Sequence, residues 1–323
     1  RRPSIIFVLL LMLLIGLSLY GSSDQVQTQE PTSDEIAFLP ILRAAETAPI
    51  VWLEDGLTRV LKNDPARFKP DIILYSARNE YEPFQIVVKA PSPAGLTNVN
   101  LTISDFIGPD GATISSENVT FFREHYLYIT QGSKEHRVML NAPQGPGWYP
   151  DALIPFSDPI TGQDLAGRFD AVPFDLAAGE NQPIWVDIYT PSGSPAGQYR
   201  ATVTVTSDQG VGALTVTLNV WNFSLPITRS LRAVTDFRLA PRTRENYIEL
   251  LKHRFNPKWV ARSEERYLID NYGLGMVHVY TSGGASYDNC QTDPPPPVAD
   301  VLENTANHQP ELYLFTSYAD EVW

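Results

Sequence analysis

The stretch Gln198–Ser207, QYRATVTVTS, constrains the fold more than any other part of the sequence. Tyr199, Ala201, Val203 and Val205 alternate with Arg200, Thr202, Thr204 and Thr206. A period of two puts every apolar side chain on one face of an extended strand, a pattern no helix can use. Leu214, Val216, Leu218 and Val220 repeat it, and Asp208-Gln209-Gly210 supplies a turn between the two runs. Gly197–Val220 therefore predicts a hairpin with one face on a core. Similar runs rich in Val, Ile, Tyr, Phe and Thr recur upstream, separated by Gly, Pro, Asn and Asp. They predict strands over Ile50–Glu54, Asp71–Ser76, Glu82–Lys89, Asn98–Ser104, Val119–Thr130 and Pro183–Tyr189. Many short strands without a long helix predict an antiparallel β-sandwich over residues 48–228.

From residue 229 to residue 323 the pattern changes to strand–helix alternation. Ser230–Leu239 reads as a strand and Arg242–Phe255 as a helix capped by Thr243 and ended by Asn256-Pro257. A second helix is expected around Ser263 and Glu264–Asn271, stopped at Gly273. Met276–Tyr280 and Leu312–Thr316 read as buried strands, so parallel pairing is expected. His278 lies within the first of these and reads as a core residue. Thr281–Pro297, with its four-proline run, reads as a long loop.

The other end of the sequence is an export signal by composition. Arg1-Arg2 precede the apolar run Ile5–Tyr20, and Asp24, Glu30, Asp34 and Glu35 follow it. That order is the layout of a signal peptide or signal anchor over residues 1–23, with the bulk of the chain outside the cytoplasm. Gly21 and Ser23 offer a cleavage site. As a helix the run is roughly 24 Å long, near the lower limit for a membrane span, so membrane anchoring through residues 5–21 is the alternative to cleavage. Residues 24–47 are a polar linker. The expected location is extracellular or on the cell surface.

The formal net charge of −13 excludes nucleic acid as a partner. The lone Cys290 permits no intrachain disulfide, so packing must hold the 323-residue chain together. No metal-ligand spacing, phosphate-cradling glycine loop or Ser-His-Asp order stands out, and no cofactor or metal is expected. Asn100, Asn118 and Asn222 head N-x-S/T triplets, candidates for glycosylation where the host has the machinery. Trp148-Tyr149, on a Gly/Pro-rich loop, reads either as a stacking surface for a sugar or as a cap on the core.

Several segments together resemble the sandwich domain of glycoside hydrolase family 123. They are Asn79–Val88 (NEYEPFQIVV), Trp148–Pro155 (WYPDALIP), Asn181–Tyr189 (NQPIWVDIY), Pro195–Tyr199 (PAGQY) and Trp221–Pro226 (WNFSLP), in the family's order. The resemblance implies a multidomain β plus α/β chain, an antiparallel sandwich followed by a (β/α)₈-type barrel. A complete barrel takes about 250 residues. Only 95 residues follow Thr228, so the barrel is expected to be incomplete here. Beginning at Arg1 and ending at Trp323, the sequence reads as clipped at both ends. The remainder of the barrel is then the chain's own partner, and the chain alone is expected to be inactive.

A glycosidase needs carboxyl groups at the scissile bond, one of them protonated, and in barrels these lie past the carboxyl ends of strands. Asp320-Glu321 stands in such a position, and Asp236 is a second candidate for substrate contact. The resemblance implies that Asp320 polarises the substrate's 2-acetamido group and that Glu321 protonates the leaving oxygen. It implies a glycan partner with terminal N-acetylhexosamine, such as a β-N-acetylgalactosaminide. Adjacent strand residues point to opposite faces, so both can serve one sugar only from a loop. The alternative is a non-catalytic surface module whose sandwich binds glycan or protein.

Overall fold

A computed structural model describes residues 47–132, 145–163, 165, 167, 170–235, 242–279, 285–286, 291–292 and 294–316. Residues 1–46, where the leader and most of the linker are expected, lie outside this set, as do Asp236, Cys290, Asp320 and Glu321. The strands of the first part, in chain order, are β1 (Ile50–Asp55), β2 (Asp71–Arg78), β3 (Glu80–Lys89), β4 (Leu96–Ile103), β5 (Phe106–Ile107), β6 (Thr113–Ile114), β7 (Val119–Ile129), β8 (Gly147–Pro155), β9 (Phe174–Leu176), β10 (Asn181–Thr190), β11 (Gly197–Ser207) and β12 (Gly210–Ser224). They form two sheets. One has the order β1-β3-β10-β7-β8; the other runs β2-β12-β11-β4-β9, with β5 and β6 beside β11.

The hairpin predicted from QYRATVTVTS is β11–β12, in register from Gly197 opposite Val220 to Ser207 opposite Gly210. Tyr199, Ala201, Val203, Val205, Leu214, Val216, Leu218 and Val220 are all buried. They meet Leu53, Phe84, Ile86, Val88, Ile184, Val186 and Ile188 of the other sheet in one core. Burying one such aliphatic side chain contributes about 1.5–3 kcal/mol, so the sandwich carries its own hydrophobic driving force. The sheets are antiparallel except where β2 runs parallel to β12. Tyr199 Oη donates to Pro195 O at 2.8 Å, and Gly108 lies flat against its ring.

The β1–β2 connection, Gly56–Pro70, crosses the outer face of the first sheet as a strap. The sheet supplies side-chain donors to the strap's carbonyls. Gln85 Nε2 donates to Asp55 O at 2.8 Å and to Thr58 O at 2.7 Å. Tyr126 Oη donates to Val60 O at 2.9 Å, and Asn181 Nδ2 to Leu61 O at 2.9 Å and Asp64 O at 3.0 Å. Glu54, on the same face, takes Arg67 at 2.9 Å and Lys69 at 3.3 Å from the strap. Val60 packs on Trp52 and Val87 beneath it.

Beyond β12 the elements are β13 (Val234–Thr235), α1 (Arg244–Lys252), β14 (Asn256–Pro257), α2 (Arg262–Tyr272), β15 (Met276–His278), β16 (Ala285–Ser286), β17 (Gln291–Thr292), α3 (Val298–Ala306) and β18 (Tyr313–Phe315). β13 pairs parallel with β14, and β15 with β18. His278 N donates to Lys258 O at 2.9 Å, and Asn256 Oδ1 accepts from Gly275 N at 3.0 Å. These bonds set β14 beside β15. Thr243 caps α1 by accepting from Asn246 N at 3.4 Å, and Tyr247, Ile248 and Leu251 are its buried face. Gly273 ends α2 at φ +67°, where a Cβ would meet Ile227 O, so glycine is required twice over.

Three expectations change. Asn256-Pro257 is a short strand rather than only a helix stop, because α1 already ends at Lys252. Trp148 and Tyr149 sit on β8 and not on a loop. Their partners are Tyr128 and Leu127 on β7, and Pro150 and Pro155 are tolerated because β8 is the edge strand of its sheet. The α3 helix, Val298–Ala306, follows the proline run at a place for which the sequence reading assigns no element. The short parallel strands are those of an α/β segment; a closed or partial barrel is not among the described elements.

The sandwich meets the α/β segment through Arg254 and His253, while Arg229, just past the sandwich, grips backbone carbonyls within the segment. Arg229 donates to Tyr272 O at 3.0 Å, to Gly273 O at 2.8 Å and to Leu251 O. Arg254 donates to Pro226 O at 2.7 Å and to Asn79 O. His253 Nε2 stands 3.5 Å from Asp187 on β10.

Candidate functional site

The carboxyl ends of β14, β15 and β18 converge on one side of the α/β segment, where parallel strands present their ligand-facing loops. Trp259 follows β14, and its ring lies 4.1 Å from that of His278, the last residue of β15. His278 in turn meets Phe315, the last residue of β18, edge-on at 5.2 Å. The Arg242 guanidinium lies 5.4 Å from the Trp259 centroid, and Lys258 Nζ 5.6 Å from it. His278 is 8% exposed, so it is a packed strand residue, as its apolar neighbours Met276 and Val277 lead one to expect. It also forms the floor on which Trp259 rests. The result is an indole flanked by two cations at a strand-end edge, a surface suited to the C–H face and hydroxyls of a sugar.

Asp236 comes immediately after β13, and Asp320-Glu321 five and six residues after β18. All three lie outside the described residues. Trp148 is on a different element. It is 44% exposed, with Tyr128 edge-on at 5.2 Å and Lys62 Nζ 4.9 Å from its ring. Tyr149 donates to Gly145 O at 3.2 Å and carries Arg59 at 5.6 Å. Both belong to the edge of the sandwich, and no described contact joins them to Trp259 or His278. Asn100 on β4 and Asn222 on β12 are exposed, and Asn222 Oδ1 accepts from Arg78 at 3.0 Å. The Asn118 amide is half-buried and donates to Ser115 O at 3.1 Å.

Trp259 and Arg242 escape sequence reasoning. The signal that finds Trp259 is its place directly after Asn256-Pro257-Lys258, and it becomes visible only once Asn256-Pro257 is read as a strand. Among the described residues no group of three or more His, Cys, Asp or Glu is placed to hold a metal.

A second polar group lies on the outer face of the first sheet. Glu124 is 7% exposed, and burial pushes its carboxyl up to about 7. Glu124 Oε1 and Gln85 Oε1 are buried without a hydrogen-bond partner. Glu82, on β3, is raised to about 7 by burial and by the neighbouring Glu80. Asp187 is raised by burial, against which His253 and the Trp185 indole N–H, 2.8 Å away, act to lower it.

Residues 74–207 match the family profile described as the glycoside hydrolase 123 N-terminal domain. The chain is similar in fold to a family 123 glycoside hydrolase from Clostridium perfringens that was solved to detail glycolipid glycan hydrolysis. The two are 17% identical with a TM-score of 0.51, and the match covers 77% of this chain and 41% of that one. The chain thus spans about two fifths of the length of that enzyme. AvmM, which catalyses macrocyclization in alchivemycin A biosynthesis, is 12% identical over 53% of this chain and 93% of its own, with a TM-score of 0.26. The CooA pilin subunit of enterotoxigenic Escherichia coli is 13% identical over 55% and 99%, with a TM-score of 0.25. Neither of these two bears on function. No curated protein matches the chain.

Proposed function

We propose, from the premise that residues 74–207 of this family 123-like chain are a glycoside hydrolase 123 N-terminal domain, that the protein hydrolyses glycans bearing terminal N-acetylhexosamine. The bond cleaved is a β-N-acetylgalactosaminide-like linkage. The observation that carries the reading is the strand-end edge of Trp259, His278 and Phe315, set behind a sandwich of this family. Asp236 and Asp320-Glu321 follow two of the parallel strands in sequence, which supports their assignment to the same edge.

The reaction is substrate-assisted. The 2-acetamido carbonyl oxygen attacks the anomeric carbon as the glycosidic C–O bond breaks, and Glu321 gives its proton to the leaving oxygen. Asp320 holds the acetamido N–H and stabilises the positive charge that develops on the group. Water then attacks the anomeric carbon, Glu321 takes its proton back, and the acetamido group is restored. Trp259 packs on the ring, and Arg242 and Lys258 face its hydroxyls.

The test uses the full-length gene product and an aryl β-N-acetylgalactosaminide. Glu321→Gln and Asp320→Asn should each lower turnover by about 10²–10⁴-fold, the range for a positioned acid or base. Turnover that survives Glu321→Gln removes the proposed acid. No turnover by the wild-type full-length protein on this class of substrate returns it to the class of non-catalytic surface modules.

The same reading includes export through residues 1–23, with residues 5–21 either cleaved away or kept as an anchor. Among the described residues no helix is long and apolar enough to cross a membrane, and residues 1–46 are not among them. Mass spectrometry of the amino terminus of the exported protein separates the two outcomes.

A further inference from the structure

We infer that the hollow under the Gly56–Arg59 end of the strap is a binding site for one neutral sugar residue, with Glu124 and Gln85 as its hydroxyl acceptors. The hollow measures about 230 Å³ and is lined by Leu57, Arg59, Gln85, Glu124, Pro150 and Trp185, among others. That is smaller than the roughly 300–1,000 Å³ of pockets for drug-sized ligands and suits a single ring.

The two acceptors decide the chemistry. Gln85 is 2% exposed, and its Nε2 already donates to Asp55 O at the end of β1 and to Thr58 O of the strap. Flipping the amide would set its oxygen against both carbonyls, so the orientation is fixed and Oε1 is left facing outward from the bonded side. Oε1 has no partner, and neither does Oε1 of Glu124, which lines the same hollow. A buried acceptor without a donor is costly, and two lining one hollow make a site that wants donors. Sugar hydroxyls are such donors. A cationic amine is disfavoured because Arg59 lines the same hollow.

Trp185 supplies the apolar wall. Its indole N–H is committed to Asp187 Oδ1 at 2.8 Å, which fixes the ring, and Pro150 closes the opposite strand. A neighbouring hollow of about 640 Å³ shares Gly56, Leu57 and Trp185 with the first and adds Tyr75 and Glu82. A longer glycan therefore has room to continue past the indole. The site lies on the sandwich and does not depend on the roles of Asp320 and Glu321.

Saturation-transfer NMR on the whole chain, with methyl β-D-galactopyranoside as probe and glucosamine as the cationic control, tests the inference. Glu124→Leu should weaken binding of the galactoside by about tenfold, the effect of one lost hydrogen bond. Glu124→Gln, which keeps an acceptor, should retain it. Leu57→Trp, at a side chain 87% exposed on the strap, should fill the mouth and block binding without touching the core. Thermal unfolding of each variant confirms that the fold survives. Saturation transfer that is absent in the wild type, unchanged in both Glu124→Leu and Leu57→Trp, or seen only with glucosamine overturns the assignment.

Discussion

His308 Nδ1 lies 2.6 Å from Glu265 Oε1, with both side chains shielded from solvent. The second carboxylate oxygen accepts from Gln309 N at 3.1 Å. Glu265 is on α2, and His308 stands in the turn that leads from α3 into β18. This one contact therefore sets where β18, and the chain that follows it, leave the α/β segment. His308→Ala strands a buried carboxylate and should cost about 3–5 kcal/mol of stability. Urea unfolding monitored by tryptophan fluorescence measures it. A loss below about 1 kcal/mol would show that the pair is not what anchors the turn.

Glu124 gives the sandwich a pH dependence with a defined sign. Its folded pKa of about 7 lies above the unfolded value of 4.5, so the folded state holds a proton that the unfolded state releases first. Stability from this group is intact below pH 4.5 and is lost as pH rises from there through about 7. The loss is on the order of 3 kcal/mol. Glu124→Gln removes it. The variant should match the wild type near pH 4 and exceed it in stability near pH 8, as read from denaturant midpoints at the two pH values.

Gly108 is fixed by a neighbour rather than by its own backbone angles. A Cβ there would come within 2.3 Å of the Tyr199 ring, a core residue held by its hydroxyl to Pro195 O at 2.8 Å. Gly108→Ala should therefore destabilise by about 1–3 kcal/mol through overpacking. Tyr199→Phe, which loses only the hydrogen bond, should cost about 1 kcal/mol. Thermal melts of both variants put the larger effect at the glycine.

Trp259 is the aromatic surface of the strand-end edge, between Arg242 and His278. Trp259→Ala in the full-length protein should raise KM for an aryl β-N-acetylgalactosaminide about tenfold and leave kcat within a few-fold, because stacking on the ring acts in substrate and transition state alike. Steady-state kinetics separate the two constants. An unchanged KM would take Trp259 out of the binding surface.

The sandwich was legible because its core strands alternate cleanly. Tyr199 to Val205 and Leu214 to Val220 announce a buried face without help from tertiary context. β8 was not legible: Pro150 and Pro155 read as loop residues, and only the edge position of the strand lets a missing N–H go unpenalised. Of the short parallel strands, β15 and β18 were legible as buried apolar runs, while Asn256-Pro257 was missed for the opposite reason. At two residues, Asn256-Pro257 has no period to detect and its identity comes from the strand that pairs with it; Val234–Thr235 lies within the strand read over Ser230–Leu239 but is much shorter among the described residues. Glu124 and Gln85 alternate with core residues just as solvent-facing residues do. Nothing local tells that the β1–β2 connection comes to lie over them.

The strap thus gives one sheet of the sandwich two insides. Ordering so long a connection against a polar surface consumes chain entropy, and the carbonyls bound by Gln85, Tyr126 and Asn181 offset it. Shortening the Gly56–Pro70 connection to the minimum that still carries the chain from β1 in one sheet to β2 in the other would leave both strands with their partners β3 and β12. It would also return Gln85 and Glu124 to bulk water, where a carboxylate and an amide are ordinary surface groups and have nothing left to select.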